Sequence, residues 1–117
     1  MATYSKRLLS GSTNGKQIKV AATVTPGTTI HTAVAGTSDL DEIWIYAVNT
    51  GTGLVALTLE WGETSSPDGL VVVNVPGQGG YVLVVPGLLL QNELVVRAFA
   101  TTADVLMING FVNRITS

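Results

Sequence analysis

The chain has no cysteine and only one histidine among its 117 residues. Without cysteine it has no disulfide bond, no thiolate ligand for zinc and no thiol chemistry. The single histidine, His31, does not make a Ser-His-Asp triad credible, because Ser38 and Asp39 are only loop neighbours in sequence. We therefore interpret His31 as a half-exposed strand residue. These absences argue against an enzyme.

Charge is also sparse. The chain has six Lys and Arg and eight Asp and Glu residues, which make 12% of the sequence where about 25% is typical. A domain of this size exposes about 6,000 Å², and soluble monomers usually carry more charge over such an area. The sparse charge predicts that other subunits cover part of the surface. The alternative is that Thr, Ser, Asn and Gly supply the polarity.

Long apolar runs are missing as well. The longest, near 82–90, contains Pro86 and Gly87 and is far too short to span a bilayer. The first twelve residues contain no long apolar run, so we expect neither a secretory signal nor a membrane partner. The absence of cysteine fits assembly in a cytosol.

Short segments of alternating or β-branched residues, separated by turn residues, fill the rest of the chain. No convincing helix is predicted. Eight strands in one domain predict an all-β antiparallel sandwich, jelly-roll-like, with an immunoglobulin-like sandwich as the alternative. The predicted strands are 17–24, 29–35, 43–48, 54–61, 70–75, 81–85 (resuming at 88–90), 93–100 and 105–115. Gly110 in the last strand predicts a bulge or a close backbone contact.

The stretch 40–62 is predicted to lie at the centre of the sandwich. It is predicted to form two long strands joined by the loop 49–53, whose small residues suit a hairpin turn. Trp61 shares a face with Val55, Leu57 and Leu59, so we expect Trp61 to lie in the core and the neighbouring Glu60 on the surface.

Both faces of the first of these strands are apolar. One face carries Ile43, Ile45 and Ala47, and the other Trp44, Tyr46 and Val48. One face should pack on the core and the other on a partner or a second layer.

Residues 1–16 are predicted to form a basic N-terminal arm, and 17–117 the β-sandwich domain. No acidic residue precedes Asp39, and a basic segment on an acidic body can dock onto an acidic neighbour. The cations are too few and too scattered to indicate nucleic-acid binding. The alternative is an edge strand that completes its own sheet. The residues of the arm predicted to bind a partner are Tyr4, Lys6, Arg7, Leu8, Leu9 and Lys16.

The acidic residues give no firm site. Asp39, Asp41 and Glu42 have oxygen ligands of the kind that calcium prefers, but no EF-hand pattern surrounds them, and we interpret them as solvated. Glu60 and Glu63 flank Trp61, yet neighbouring strand and loop residues rarely place two carboxyl groups across a sugar. The glycines follow no phosphate-binding fingerprint. We predict no catalytic, metal or cofactor site.

Three runs of the chain are similar to a known class of protein. They are KRLLSGSTNGKQIKV, PGTTIHTAVAGTSDLDEIWIYAVNTGTG and LVVPGLLLQNELVVRAFATTADVLMINGFVNRI. In length, in richness in Thr, Gly and Val, in the basic arm and in the final NRI strand, the chain resembles small all-β virion proteins of tailed bacteriophages. Within these it is most like capsid decoration, or cement, proteins.

The resemblance implies a role, a location and partners. It implies a structural protein on the outside of the phage head, assembled in the host cytoplasm, often as a homotrimer, that binds the major capsid protein and stabilises the shell. The alternative is a carbohydrate- or receptor-binding module of a phage tail or fibre. An exposed aromatic platform would favour that alternative.

Overall fold

The computed structural model describes residues 2–117, and within them it contains nine strands and no helix. Short loops join the strands, as the density of Gly, Pro, Ser and Asn between apolar segments predicts. In chain order the strands are β1 (Thr3–Leu8), β2 (Ile18–Lys19), β3 (Thr28–Thr32), β4 (Leu40–Asn49), β5 (Val55–Trp61), β6 (Leu70–Val75), β7 (Val82–Leu90), β8 (Val95–Ala100) and β9 (Leu106–Thr116).

The strands form two antiparallel sheets that pack face to face. The first sheet has the order β1-β9-β4-β7, and the short β2 pairs with the other half of β9. The second sheet has the order β3-β8-β5-β6. The prediction of an all-β sandwich is confirmed.

The connectivity is that of a jelly roll. β1 and β2 pair with opposite halves of β9, so together they act as one interrupted strand and the chain has eight strand positions. The first position along the chain pairs with the last, the second with the second-last, and so on. The pairs are β1/β2 with β9, β3 with β8, β4 with β7, and β5 with β6. Successive pairs alternate between the sheets, as in a long hairpin rolled around a barrel. The jelly-roll prediction is therefore correct, and the immunoglobulin-like alternative is not.

The core lies between the sheets and follows the period of two. In β4 every second residue is buried and its neighbours are only half-buried, so Ile43, Ile45 and Ala47 face inward, as one of the two predicted faces. They meet Leu57 and Leu59 of β5, which have no exposed surface. Each fully buried side chain of this size stabilises the fold by about 1.5–3 kcal/mol.

The predicted hairpin at 40–62 is wrong. β4 lies in the first sheet and β5 in the second, so the loop between them crosses the sandwich. The buried Asn49 organises this crossing: its Nδ2 donates to the carbonyls of Gly53 (2.7 Å) and Val75 (3.0 Å), and its Oδ1 accepts from Gly51 N (2.9 Å). Alternation fixes which face of a strand is buried, but it does not say which strand lies beside it.

The N-terminal segment is part of the sandwich. Residues 3–8 pair along their whole length with β9, which is the edge-strand alternative to a free arm. Leu9 follows and is 1% exposed, so it is anchored in the core. The next residues turn back, with Gly11 N donating to the carbonyl of Ile30 (2.9 Å).

Gly110 brings two strands of the first sheet into close contact. A Cβ at this position would lie 2.0 Å from the carbonyl oxygen of Trp44, so any larger residue would push β9 away from β4. The predicted close backbone contact is confirmed. Because the β4–β9 register has no shift, the glycine lets the backbones of β9 and β4 approach closely and does not mark a bulge.

Candidate interaction surface on the first sheet

The outer surface of the first sheet collects most of the aromatic side chains. The chain has seven aromatic residues, and five of them project from this side of the sheet or from its rim. Exposed or half-buried aliphatic side chains lie among them, and we call the whole surface the aromatic face. Its members are Tyr4, Trp44, Tyr46, Tyr81, Phe111, Leu8, Leu83, Leu89 and Ile115.

Trp44 lies at the centre of the aromatic face. Its ring stacks on that of Phe111, its partner on β9, with centroids 5.9 Å apart and an interplanar angle of 14°. On the other side it lies against Gly87, where a Cβ would come within 2.8 Å of the indole. Its Nε1 donates to Glu42 Oε2 over 3.2 Å. The indole is therefore held in one orientation by backbone, ring and carboxylate contacts.

A shallow pocket opens beside this stack. Tyr46 and Tyr81 meet edge to face with centroids 6.3 Å apart, and the hydroxyl of Tyr81 donates to Gln17 Oε1. With Asn109, Gly110 and Phe111 they line an open pocket of about 340 Å³, at the lower end of the range for ligand pockets. The lining is mainly aromatic, with one amide side chain.

Three of the predicted partner-binding residues lie on the aromatic face. Tyr4 and Leu8 pair with Ile115 and Phe111 on the outer side of the sheet, and Tyr4 is 72% exposed. Lys6 lies between them, with its Nζ 4.9 Å from the centroid of the Phe111 ring, within the range of a cation–π contact. The charged residues on this side, Lys6, Glu42 and Lys19, are few.

The other three predicted residues are placed differently. Arg7 pairs with Val112, so it projects from the opposite side of β1, where it is exposed at the sheet edge. Leu9 belongs to the core of its own chain and is therefore not available to a partner. Lys16 is exposed in the turn between β1 and β2.

In contrast to the exposed aromatic face, a cluster of buried polar side chains lies between the sheets. The guanidinium of Arg114 binds the carboxylate of Asp41 through two bonds, Nε to Oδ1 (2.8 Å) and Nη2 to Oδ2 (3.0 Å). Asp41 Oδ2 also lies 2.8 Å from His31 Nε2 and accepts from Val34 N over 3.0 Å. His31 Nδ1 accepts the N–H of Ser10 over 2.9 Å, so the proton of the neutral ring is on Nε2.

The electrostatics of this cluster keep the histidine neutral. Burial lowers the pKa of His31, and the hydrogen bond to Asp41 offsets this only in part. Burial raises the pKa of Asp41, but hydrogen bonds from Arg114 and His31 outweigh it, so the pKa falls below its ordinary value. The hydrogen bond to Asp41 raises the pKa of Arg114.

This cluster corrects two predictions from the sequence. His31 is 1% exposed and Asp41 is fully buried, so His31 is not half-exposed and Asp41 is not a solvated loop residue. Every buried polar side-chain atom among residues 2–117 has a hydrogen-bond partner. The cluster joins β3, β4, β9 and the turn after β1, and thus ties the two sheets together. Residues 2–117 contain no group of three or more His, Cys, Asp or Glu side chains arranged to hold a metal.

Glu60 is, after Asp41, a second buried carboxylate that the sequence did not reveal. It is 1% exposed, because Thr25 and Gly27 reach across β8 to its carboxylate, with Gly27 N donating over 2.6 Å and Thr25 Oγ1 over 2.5 Å. The prediction of a surface carboxylate is wrong. The neighbouring Trp61 is half-buried and packs against the core.

Comparison with known proteins adds no relative to this picture. No protein-family model matches the chain, and neither a curated protein nor a solved structure shows significant similarity to it. Among the described residues there is no helix of the length and apolarity that a membrane span requires.

Proposed function

We propose that this protein is a structural subunit of a tailed-phage virion, a capsid decoration protein that binds the major capsid protein on the outside of the head. The aromatic face is the surface that binds. The observation that carries this proposal is a sheet surface on which five of the seven aromatic residues of the chain lie among exposed aliphatic side chains, with only Lys6, Lys19 and Glu42 charged.

The composition of the aromatic face is that of a protein interface. Interface centres are enriched in aromatic residues and depleted in charge, while polar groups collect at the rim. Trp44 and Phe111 lie at the centre, held by stacking, so little side-chain entropy is lost on binding. Lys6 and Lys19 lie toward the β1/β2 edge, where a rim charge steers association more than it adds affinity.

The resemblance to phage virion proteins supports the assignment to a phage head. Its three runs include residues from every strand of the first sheet, and they contain Trp44, Tyr46 and Phe111. A jelly roll without flexible domains suits a mechanical clamp, and viral capsid proteins are among the proteins that use this architecture.

The test is binding to undecorated heads of the phage that encodes the chain. Leu8→Ser and Leu83→Ser change exposed residues of the aromatic face, with 51% and 46% exposure. We expect each to weaken co-sedimentation with heads at least tenfold. The matched control is Leu54→Ser, which changes a residue 66% exposed outside that face and should bind as the parent does. Equal binding by all three variants would refute the proposal.

The aromatic face and the pocket beside Trp44 also favour a second candidate, a carbohydrate- or receptor-binding module, which is the function expected of an exposed aromatic platform. Aromatic rings stack on the apolar faces of sugars, and the amide of Asn109 is the kind of group that hydrogen-bonds a sugar hydroxyl. Titration with a panel of host surface glycans separates the two. Saturable binding that Tyr81→Ala abolishes supports this second candidate, and its absence leaves the protein interface.

A further inference from the structure

One edge strand of the sandwich lacks the features that normally keep an edge from pairing with other chains. β7 contains Pro86 and two register shifts. β3 has a register shift and is bordered by Ser10 and Gly11, which bond to its backbone. β1 carries Lys6 and Arg7. β6, with the sequence LVVVNV, has no charge, no proline and an unbroken register with β5.

The free side of β6 is open. Among the described residues, the backbone of 71–74 makes no hydrogen bond outside its own sheet, and Val72 is 64% exposed. An open row of N–H and C=O groups is best satisfied by an extended segment that adds as another strand.

β1 has the properties of a strand that could add to the free edge of β6. It has six residues, as β6 does, and Lys6 and Arg7 form no ion pair within residues 2–117. The loop that leads into β6 carries Glu63 and Asp68, which are exposed and equally unpaired there. Within one chain the two strands cannot meet, because β1 runs on into the turn that borders β3, at the opposite edge of the second sheet from β6.

We propose that β1 of one copy pairs antiparallel with β6 of the next copy. The charges select the orientation. An antiparallel alignment sets Leu8 opposite Leu70 and brings Lys6 and Arg7 toward the acidic loop at 62–69, whereas a parallel one carries them toward the uncharged end at Asn74.

This contact is heterologous, so every copy offers one donor and one acceptor edge, and repetition gives either a closed ring or a chain. It uses the edge of β1, while the aromatic face uses side chains that project from the sheet. Leu8 and Lys6 take part in both contacts, whereas Leu83 belongs to the aromatic face alone. The pairing is therefore measured on the isolated protein, and Leu83→Ser reports on binding to heads separately.

Cross-linking tests the contact directly, because the chain has no cysteine of its own. In the aligned register Lys6 of one copy lies opposite Val72 of the next. We expect a short bis-maleimide to link the double variant Lys6→Cys/Val72→Cys into covalent multimers, while the two single variants do not form multimers beyond a pair. A double variant that stays at one chain, or that links no further than the single variants, overturns the proposal.

A charge exchange provides the second test. Light scattering of the parent at micromolar concentration should return a mass well above the 12.2 kDa of one chain. Lys6→Glu/Arg7→Glu should raise the dissociation constant between copies at least tenfold, and Glu63→Lys/Asp68→Lys in the same chain should restore it. A parent mass of one chain at micromolar concentration overturns the pairing. A dissociation constant that Lys6→Glu/Arg7→Glu leaves unchanged also overturns it. Failure here leaves binding to heads to be judged by the Leu83 variant, because Leu83 lies outside the proposed pairing.

Discussion

The outer surfaces of the two sheets have the same strand geometry but opposite surroundings. On the first sheet the outward positions carry Trp44, Tyr46 and Phe111, and nothing in the described chain packs over them apart from their own neighbours. On the second sheet the outward positions mix Thr58 and Arg97 with Phe99 and the exposed Val72, and the chain itself bends over the outward Glu60. Where the chain covers a sheet surface itself, as at Glu60, the contact serves stability, whereas a large apolar surface that it leaves open serves binding.

Loss of Asp41 should give the largest effect, since this residue ties the sheets together beneath both surfaces. Asp41→Ala leaves the Arg114 charge and the His31 donor without a partner in the interior. Breaking a buried pair in this way typically costs about 3–5 kcal/mol, a large part of the stability of a small domain. Urea unfolding should show a much lower midpoint or no folded protein. A loss below about 1 kcal/mol would mean that the cluster is hydrated and not structural.

The two tryptophans sharpen the comparison. Trp61→Ala removes a ring that packs on the core and should cost about 3 kcal/mol, without a specific effect on binding. Trp44→Ala removes a ring of the open surface and should cost about 1–2 kcal/mol in stability but abolish binding to heads. Thermal unfolding and co-sedimentation measured on both variants check this. An unchanged melting temperature for Trp61→Ala would contradict its place against the core.

Variants of Glu60 test how much its bonds to the turn at 25–27 contribute to stability. Glu60→Ala leaves the N–H of Gly27 and the hydroxyl of Thr25 without their acceptor, which typically costs about 1–3 kcal/mol. Glu60→Gln keeps one acceptor and should lose less. If both variants unfold at the same urea concentration as the parent, the turn at 25–27 does not depend on this carboxylate.

Acid should weaken the fold in two stages. The pKa of His31 is lowered in the folded state, so as pH falls through the ordinary value of about 6.5 the unfolded chain takes up a proton first and stability declines. The pKa of Asp41 is also lowered, so its contribution is lost below about pH 4. Melting temperatures from pH 7 to 5 should fall for the parent and stay flat for His31→Gln. Because His31 is the only histidine, a parent curve without slope in this window contradicts the assignment.

The sequence predicts β3 to β9 well because alternation is local, but it predicts an arm where β1 lies and a strand over 17–24 where only Ile18–Lys19 form one. The inward face of β4 and the jelly-roll count follow from a period of two and from turn residues. Pairing partners do not follow, since β4 and β5 have the pattern of a hairpin but lie in different sheets. The cluster of His31, Asp41 and Arg114 joins residues up to 83 positions apart in the sequence, and no local pattern signals it.

The candidate surface was predictable in part. Tyr4, Lys6 and Leu8 were expected to face a partner, and the second apolar face of β4 was a clear signal for Trp44 and Tyr46. Leu83 was missed, because an almost wholly apolar segment indicates a strand buried on both sides. Only the order of strands in the first sheet shows that these side chains share one surface.

The most direct test of the central claim is a modification footprint of the chain on intact phage particles. All three tyrosines of the chain, Tyr4, Tyr46 and Tyr81, belong to the aromatic face. We expect the chain to be present in particles at a fixed stoichiometry, with Tyr4 and Tyr81 at least tenfold less reactive to nitration than in the free protein. Hydroxyl-radical labelling of Leu54 and Val24, which are exposed elsewhere, should be the same in both states. Absence of the chain from particles, or tyrosines that react equally in both states, would contradict the account.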